Sequence, residues 1–478
     1  MNNLKKLKLL VASALLSSTS VYADDCTDTS ATNCGITISG NQTIDIDSSI
    51  STTDEKGINI TNGSNTLTID GNITTTTGTE NAAMGIRINS VNAENNIINM
   101  TGDIETITNG SATSANGIAV TNSASNNTVN ITGNISTSGN TLSGIVIRSS
   151  ADNNNITLTG DININGATNA YGVRILSKDA ANLSSDNVIT VNGNINTVWH
   201  SIDIGDYAKD NNIVVNGNAQ STGGGAVKIS VGSTNNVVEV NGNLTTTATS
   251  GSPTIQIFNQ ATDNLIIIDG NVTQLATQAA INFGSAVDTT SNDNTISISG
   301  QITSAQDGIV FSRSDHNEVF VSGGINAVRN AVSADAISDN NTVSVSGNIT
   351  SGRDSFIFLG SNNTVNVNGT VTSGAGFFDI NNTSGGITNL YNNEGFATSN
   401  PLTLTGKLPT NYFITIDSTS DYGQLAVTNG VGNINFGITE ESVIGVPTSN
   451  YTSYGDETTL NPAASSPYKI EAAGKDIT

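Results

Sequence analysis

"NNTVNVNGTVTS" at residues 362–373 and "NNTVNITGNIST" at 126–137 are one phrase written twice. In each, a pair of Asn opens a run in which apolar residues take every second place, and a Gly closes it. That alternation has the period of a β-strand, whose successive side chains point to opposite faces. Val365 and Val367 are therefore expected to fill an interior, with Asn366 and Asn368 facing water. The phrase recurs as "GITISG" 35–40, "TLTIDG" 66–71, "IINMTG" 97–102, "NITLTG" 155–160, "VITVNG" 188–193, "IVVNG" 213–217, "VVEVNG" 237–242, "LIIIDG" 265–270, "TISISG" 295–300, "EVFVSG" 318–323 and "TVSVSG" 342–347. Thirteen copies lie between Gly40 and Gly369, a mean period of about 27 residues.

Each period holds a second alternating run, for example "GIRIN" 85–89, "GIAVT" 117–121, "GVRIL" 172–176 and "SIDIG" 201–205. Between the two runs lie Thr, Ser, Asn and Gly, the residues of turns and loops. Short strands at such a period mark a solenoid or a propeller. A propeller blade needs four strands in about 40 residues, more than this spacing holds. The Leu pattern of leucine-rich repeats and a six-residue apolar repeat are both missing. The expected fold is all-β: a right-handed parallel β-helix of about thirteen rungs with a C-terminal β cap. At about 4.8 Å per rung it makes a rod of about 60 Å. Equivalent residues then stack into ladders, aliphatic inside and amide-bonded Asn at the corners. The pairs Asn126-Asn127, Asn211-Asn212, Asn235-Asn236 and Asn362-Asn363 suit such corners, because Asn tolerates left-handed backbone angles. The recurrent Gly marks a bend that a side chain would crowd.

Composition agrees with this fold. Only 12% of residues are charged and 4% aromatic, too few bulky groups for a large spherical core. The plentiful Ile, Val and Thr fit pleated surfaces. "MNNLKKLKLLVASALLSSTSVYA" reads as a signal peptide, with basic residues, a short apolar run and small residues before cleavage between Ala23 and Asp24. Its loss leaves 13 basic against 40 acidic residues, a balance that repels nucleic acid and anionic membranes. A cationic or calcium-dependent partner is the sharper reading of that charge, and solubility the plainer one. The only cysteines, Cys26 and Cys34, follow the cleavage site, and an oxidising destination makes a disulfide between them the expectation.

The expected organisation is a signal peptide at 1–23, an N-terminal cap with the disulfide at 24–50, β-helix repeats at 51–384, a C-terminal cap at 385–444 and a linker or tail at 445–478. The cap contains "GKLPTNYFITIDSTSDYGQLAV" 406–427. With the signal peptide and the Asn/Gly/Thr rungs, its "LPTNY" 408–412 and "YGQL" 422–425 resemble the end of the passenger of a bacterial autotransporter (type V secretion). The resemblance implies an exported, cell-surface or secreted protein whose passenger sits ahead of an outer-membrane translocator barrel. No barrel-like strands follow, so a passenger alone, a truncated or frame-shifted gene remnant, or a protein exported another way is implied. Its partners would be host or bacterial surface glycans or proteins, or further copies of itself.

β-Helices also carry polysaccharide lyases and hydrolases, which cluster carboxylates or Ca²⁺ with a base on one face. The best cluster here is "NTVWHSIDIGDY" 196–207, with Trp199, His200, Asp203, Asp206 and Tyr207 as glycan-contact candidates. The alternative is that Trp199 and Tyr207 are corner residues and the acids are solvated. Arg174, Asp203 and Lys228 hold the same place in successive second runs, which predicts a surface charge ladder. "SDHNE" 314–318 is a weak metal signal, and no calcium nonapeptide or serine-protease motif appears. The expectation is a non-enzymatic adhesive, aggregative or stalk protein without cofactor, metal or nucleic acid; a β-helical polysaccharide-degrading enzyme is the alternative.

Overall fold

The computed structural model describes residues 20–23, 35–77, 83–108, 115–166, 169–247, 251–284, 290–393, 401–418, 421–439, 442, 470–472 and 475–476. Asp24, Cys26 and Cys34, and with them the expected disulfide, lie outside these residues, as does most of the expected tail. The described chain is a parallel β-solenoid of about thirteen turns built from three sheets, without a helix. It falls into two units, residues 1–250 and 251–478, described separately below.

In the first unit each turn runs through three strands. Thr128–Thr132, Ile135–Gly139 and Leu142–Arg148 make one turn, and Asn155–Thr159, Ile162–Gly166 and Ala170–Leu176 make the next. Each strand pairs in parallel and in register with its counterpart one turn on: Val129 with Ile156, Ile135 with Ile162, Ile145 with Val173. The interior is a stack of branched aliphatics, among them Ile131, Ile135, Ile145, Ile156 and Leu158, all essentially inaccessible. Burying each such side chain contributes about 1.5–3 kcal/mol.

The middle strand was not separable from turn sequence, because its inward positions alternate Ile with Thr or Ser. Thr75, Thr106 and Thr137 follow Ile73, Ile104 and Ile135 inward and are buried. The methyl of Thr packs there, which is why a Thr-rich stretch forms an interior wall.

The second unit repeats this plan with shorter strands. Ile255–Phe258, Ile281–Gly284, Ile309–Ser312, Val332–Ala334 and Phe356–Phe358 are successive strands of its third sheet. Its core brings in rings: Phe283 and Phe311 stack with centroids 5.0 Å apart. Ala334 lies between Phe311 and Phe358 in the register, making room for both. Val365 and Val367 are buried, Asn366 is half-buried and Asn368 exposed, as the alternation requires.

Strands of the expected C-terminal cap continue the parallel stacking. Leu402–Lys407 lies between Ile380–Asn382 and Leu425–Val431, and Asn411–Ile414 between Ile387–Asn392 and Asn435–Ile438. Among the described residues the last strand of the middle sheet is Val371–Thr372, while the other two sheets continue beyond it. Within "LPTNY", Tyr412 is buried and its hydroxyl accepts from Asn392 Nδ2 at 3.1 Å. Tyr422 and Leu425 of "YGQL" are also buried. At the other end, Ile36–Ser39, Thr43–Ile46 and Ile50–Thr53, within or touching the expected N-terminal cap, already pair as a first turn. Ser20–Ala23 lies antiparallel beside Ile36–Ser39.

Candidate functional site

Two amide ladders organise the surface. Asn65, Asn96, Asn127, Asn154, Asn187, Asn211 and Asn236 form the first, all at most 1% exposed. In each step the Oδ1 of one Asn accepts both the backbone N–H and the Nδ2–H of the Asn one turn earlier. For Asn127 and Asn154 the distances are 3.1 and 2.9 Å. In the second unit Asn264, Asn294, Asn317, Asn341 and Asn363 do the same. The residue before all of these but Asn65 turns the chain through a left-handed angle, as Asn126 (φ 55°), Asp186 (φ 55°) and Asn235 (φ 56°) show; before Asn65 the left-handed residue is Gly63 (φ 82°). At the Asn211-Asn212 pair the roles sit one residue earlier than expected. Asp210 takes the left-handed angle, Asn211 joins the ladder and Asn212 opens the strand.

The second ladder is exposed or half-exposed and follows the Gly at the end of each first strand. Asp103 N donates to Asn72 Oδ1 at 2.8 Å, Asn134 N to Asp103 Oδ1 at 2.7 Å and Asp161 N to Asn134 Oδ1 at 2.9 Å. Asn194, Asn218 and Asn243 continue it. Here the main-chain donor points back one turn, opposite to the buried ladder. The preceding glycines stack so tightly that a Cβ on Gly133 would collide with the carbonyl of Gly102.

The cluster around residue 200 sits on the outer side of the third sheet. The register places Arg174 beside Asp203 and Asp203 beside Lys228. Arg174 Nε donates to Asp203 Oδ2 at 2.9 Å, and Lys228 Nζ stands 3.3 Å from Oδ1 as an ion contact rather than an aligned hydrogen bond. The charge ladder is therefore real, but only its cations reach the surface: the Arg174 and Lys228 side chains are 26% and 23% exposed and that of Asp203 1%. Its neighbours close over it, because the residue three places earlier in each strand shares that side. Tyr171 carries the Arg174 guanidinium 4.0 Å from its ring centroid. His200 lies 5.9 Å from Tyr171 and edge-on to Trp199 at 5.3 Å.

His200 is buried, and its Nδ1 meets the Gly225 carbonyl at 3.0 Å. That contact makes Nδ1–H the donor. Burial depresses the imidazole pKa to about 4, against a smaller opposing pull from Asp203. It is thus neutral near pH 7. Burial likewise raises the Tyr171 hydroxyl, which keeps it protonated.

The five candidates are not one constellation. Trp199 precedes and Tyr207 follows the strand His200–Gly205, roughly 17 Å of extended chain. Tyr207, 36% exposed, lies against Gly232 and holds a left-handed corner with Asp206. Trp199 and Tyr207 are corner residues, as the plainer reading had it; Asp203, against that reading, is not solvated. Tyr171 was missed, although the place of Arg174 in the repeat pointed to it. His316 of "SDHNE" is an exposed corner residue, and Asp315 Oδ1 there accepts Asp339 N at 2.8 Å. Among the described residues no group of three or more His, Cys, Asp or Glu is placed to hold a metal.

What the residue-200 arrangement does chemically is hold itself shut. Its carboxylate stands against two cations, and its imidazole is neutral at pH 7 with its one N–H held by the Gly225 carbonyl. Compared with protein-family models, curated proteins and solved structures, the chain matches none.

Proposed function

We infer that this chain is an exported, non-enzymatic passenger of the autotransporter type that acts in cell-surface adhesion or aggregation. The carrying observation is repetition of uncharged hydrogen-bonding side chains on exposed positions of successive turns. Asn130 Nδ2 donates to Asn99 at 2.9 Å, Asn216 to Asn192 at 2.7 Å and Asn241 to Asn216 at 2.8 Å. Identical weak sites at a fixed spacing bind by multivalency, which raises avidity without a deep pocket. The two ion contacts of the buried Asp203 support a structural role for that carboxylate. The resemblance of the C-terminal segment and the signal-like start supply the export reading.

The test is expression of the full chain with its N-terminus in a bacterial host, followed by cell fractionation and N-terminal mass spectrometry. The expected product begins at Asp24, lies outside the inner membrane, and makes cells clump or adhere. A product that keeps residues 1–23 in the cytoplasm, or one that shortens polysaccharide chains, would overturn the reading.

A further inference from the structure

The last turns of the second unit carry, on the outer side of the first sheet, a platform that the sequence did not single out. Strands Asn363–Val367, Ile387–Asn392, Asn411–Ile414 and Asn435–Ile438 pair in parallel. Their register puts Asn366, Tyr391, Phe413 and Gly437 in one outward column. The rings of Tyr391 and Phe413 stack with centroids 4.7 Å apart and planes 14° from parallel. The Phe413 ring leans over the next strand at Gly437, where a Cβ would stand 2.5 Å from its Cδ1.

Amides and hydroxyls flank the rings on both sides. On one, Asn389 Nδ2 donates to Thr364 Oγ1 at 3.0 Å, Asn411 Nδ2 to Asn389 Oδ1 at 2.7 Å and Asn435 Nδ2 to Asn411 Oδ1 at 3.1 Å. On the other, Thr415 Oγ1 donates to Asn393 Oδ1 at 2.6 Å and meets the Thr439 hydroxyl at 2.8 Å. These columns contain no charged side chain. Farther along the central column, three steps before Tyr391, stands Phe320, 40% exposed.

A sugar ring has an apolar face of C–H bonds and a rim of hydroxyls. An aromatic surface takes the face, and amides that both donate and accept take the rim. Without a cation, the platform has nothing to draw a carboxylate or sulfate, and the acidic chain around it repels them. We propose that the Tyr391–Phe413 pair binds an uncharged oligosaccharide, a sugar ring laid on the open face of the stacked aromatics and its hydroxyls bonded to Asn389, Asn411 and Asn393. This rests on the adhesive reading and gives it a ligand class and a place.

Saturation-transfer NMR and titration calorimetry of the purified chain test it, with cellohexaose, maltohexaose and mannohexaose as probes and trigalacturonate as the charged control. At least one neutral hexaose is expected to receive saturation on its ring C–H protons, and trigalacturonate none. Replacing both rings, Tyr391→Leu with Phe413→Leu, keeps apolar bulk and is expected to weaken binding about tenfold with little change in thermal unfolding. Tyr391→Phe keeps the ring and is expected to keep binding. Should the double variant unfold, Asn411→Ala leaves the rings in place and is expected to weaken binding about threefold. Silence from all three hexaoses, equal binding of trigalacturonate, or undiminished binding by the folded double variant overturns the proposal. If cells still adhere while the hexaoses do not bind, the platform fails and adhesion stands. If neither occurs, both fail.

Discussion

The buried and exposed ladders of the first unit use the same amide chemistry, yet their sequences differ. The buried one is Asn at all seven positions from Asn65 to Asn236. The exposed one alternates freely, Asn72, Asp103, Asn134, Asp161, Asn194. The reason lies in what each position must supply. The exposed ladder needs only an acceptor for a main-chain N–H, which a carboxylate provides equally well and water keeps charged. A buried member must accept two hydrogen bonds and also donate. Asn154 Nδ2 reaches the carbonyls of Ala124 and Asp152 and Asn187 Oδ1 at 3.0–3.1 Å. Only a neutral amide does both without a buried charge.

This contrast is open to attack, and the strongest attack is Asn154→Asp. The change removes three donated bonds and puts a carboxylate against carbonyl oxygens, so urea denaturation should show a loss of about 4 kcal/mol. An unchanged midpoint would mean the buried ladder is decoration. A second buried polar group sharpens the same rule. His200 has a folded pKa of about 4, below its unfolded value near 6.5, so the unfolded chain takes up the proton first. Its neutral state costs nothing above about pH 6.5, and stability is lost as pH falls from there toward 4, by about 3 kcal/mol in all. His200→Gln should flatten that part of the pH–stability curve; an identical slope in both proteins would refute the assignment.

Between the ladders, Gly133 holds φ at 151° against the Gly102 carbonyl. Gly133→Ala must shift that contact and should cost about 2 kcal/mol in thermal or urea unfolding. The smallest effect is expected on the exposed ladder. Asp103→Asn keeps the acceptor for Asn134 N and should change stability by less than about 0.5 kcal/mol. A loss as large as that of Asn154→Asp would erase the distinction between the two ladders.

Much of the fold was legible in residues. Val365 and Val367 inside, Asn366 outside and Gly at the crowded bend all follow from strand alternation and the steric demand of stacked corners. The charge ladder Arg174–Asp203–Lys228 was legible because each holds the same place beside an inward Ile or Val. The burial of Asp203 was not, because Tyr171 comes to it from the neighbouring turn and His200 from its own strand. The middle sheet escaped notice because an inward Thr reads as a turn residue until aliphatics are known to surround it.

By itself, the sequence determined that this chain coils into stacked β-strands with aliphatic walls, because alternation and the αL-tolerant corner residues are local properties of the backbone. Only the tertiary structure decided which side chains meet. Successive members of the buried ladder lie 31, 31, 27, 33, 24 and 25 residues apart, so no fixed count along the chain predicts the partner. Turns of unequal length absorb the difference, and the hydrogen bonds between strands set the register. That register, rather than any motif, closes the site at Asp203 and lays Tyr391 beside Phe413.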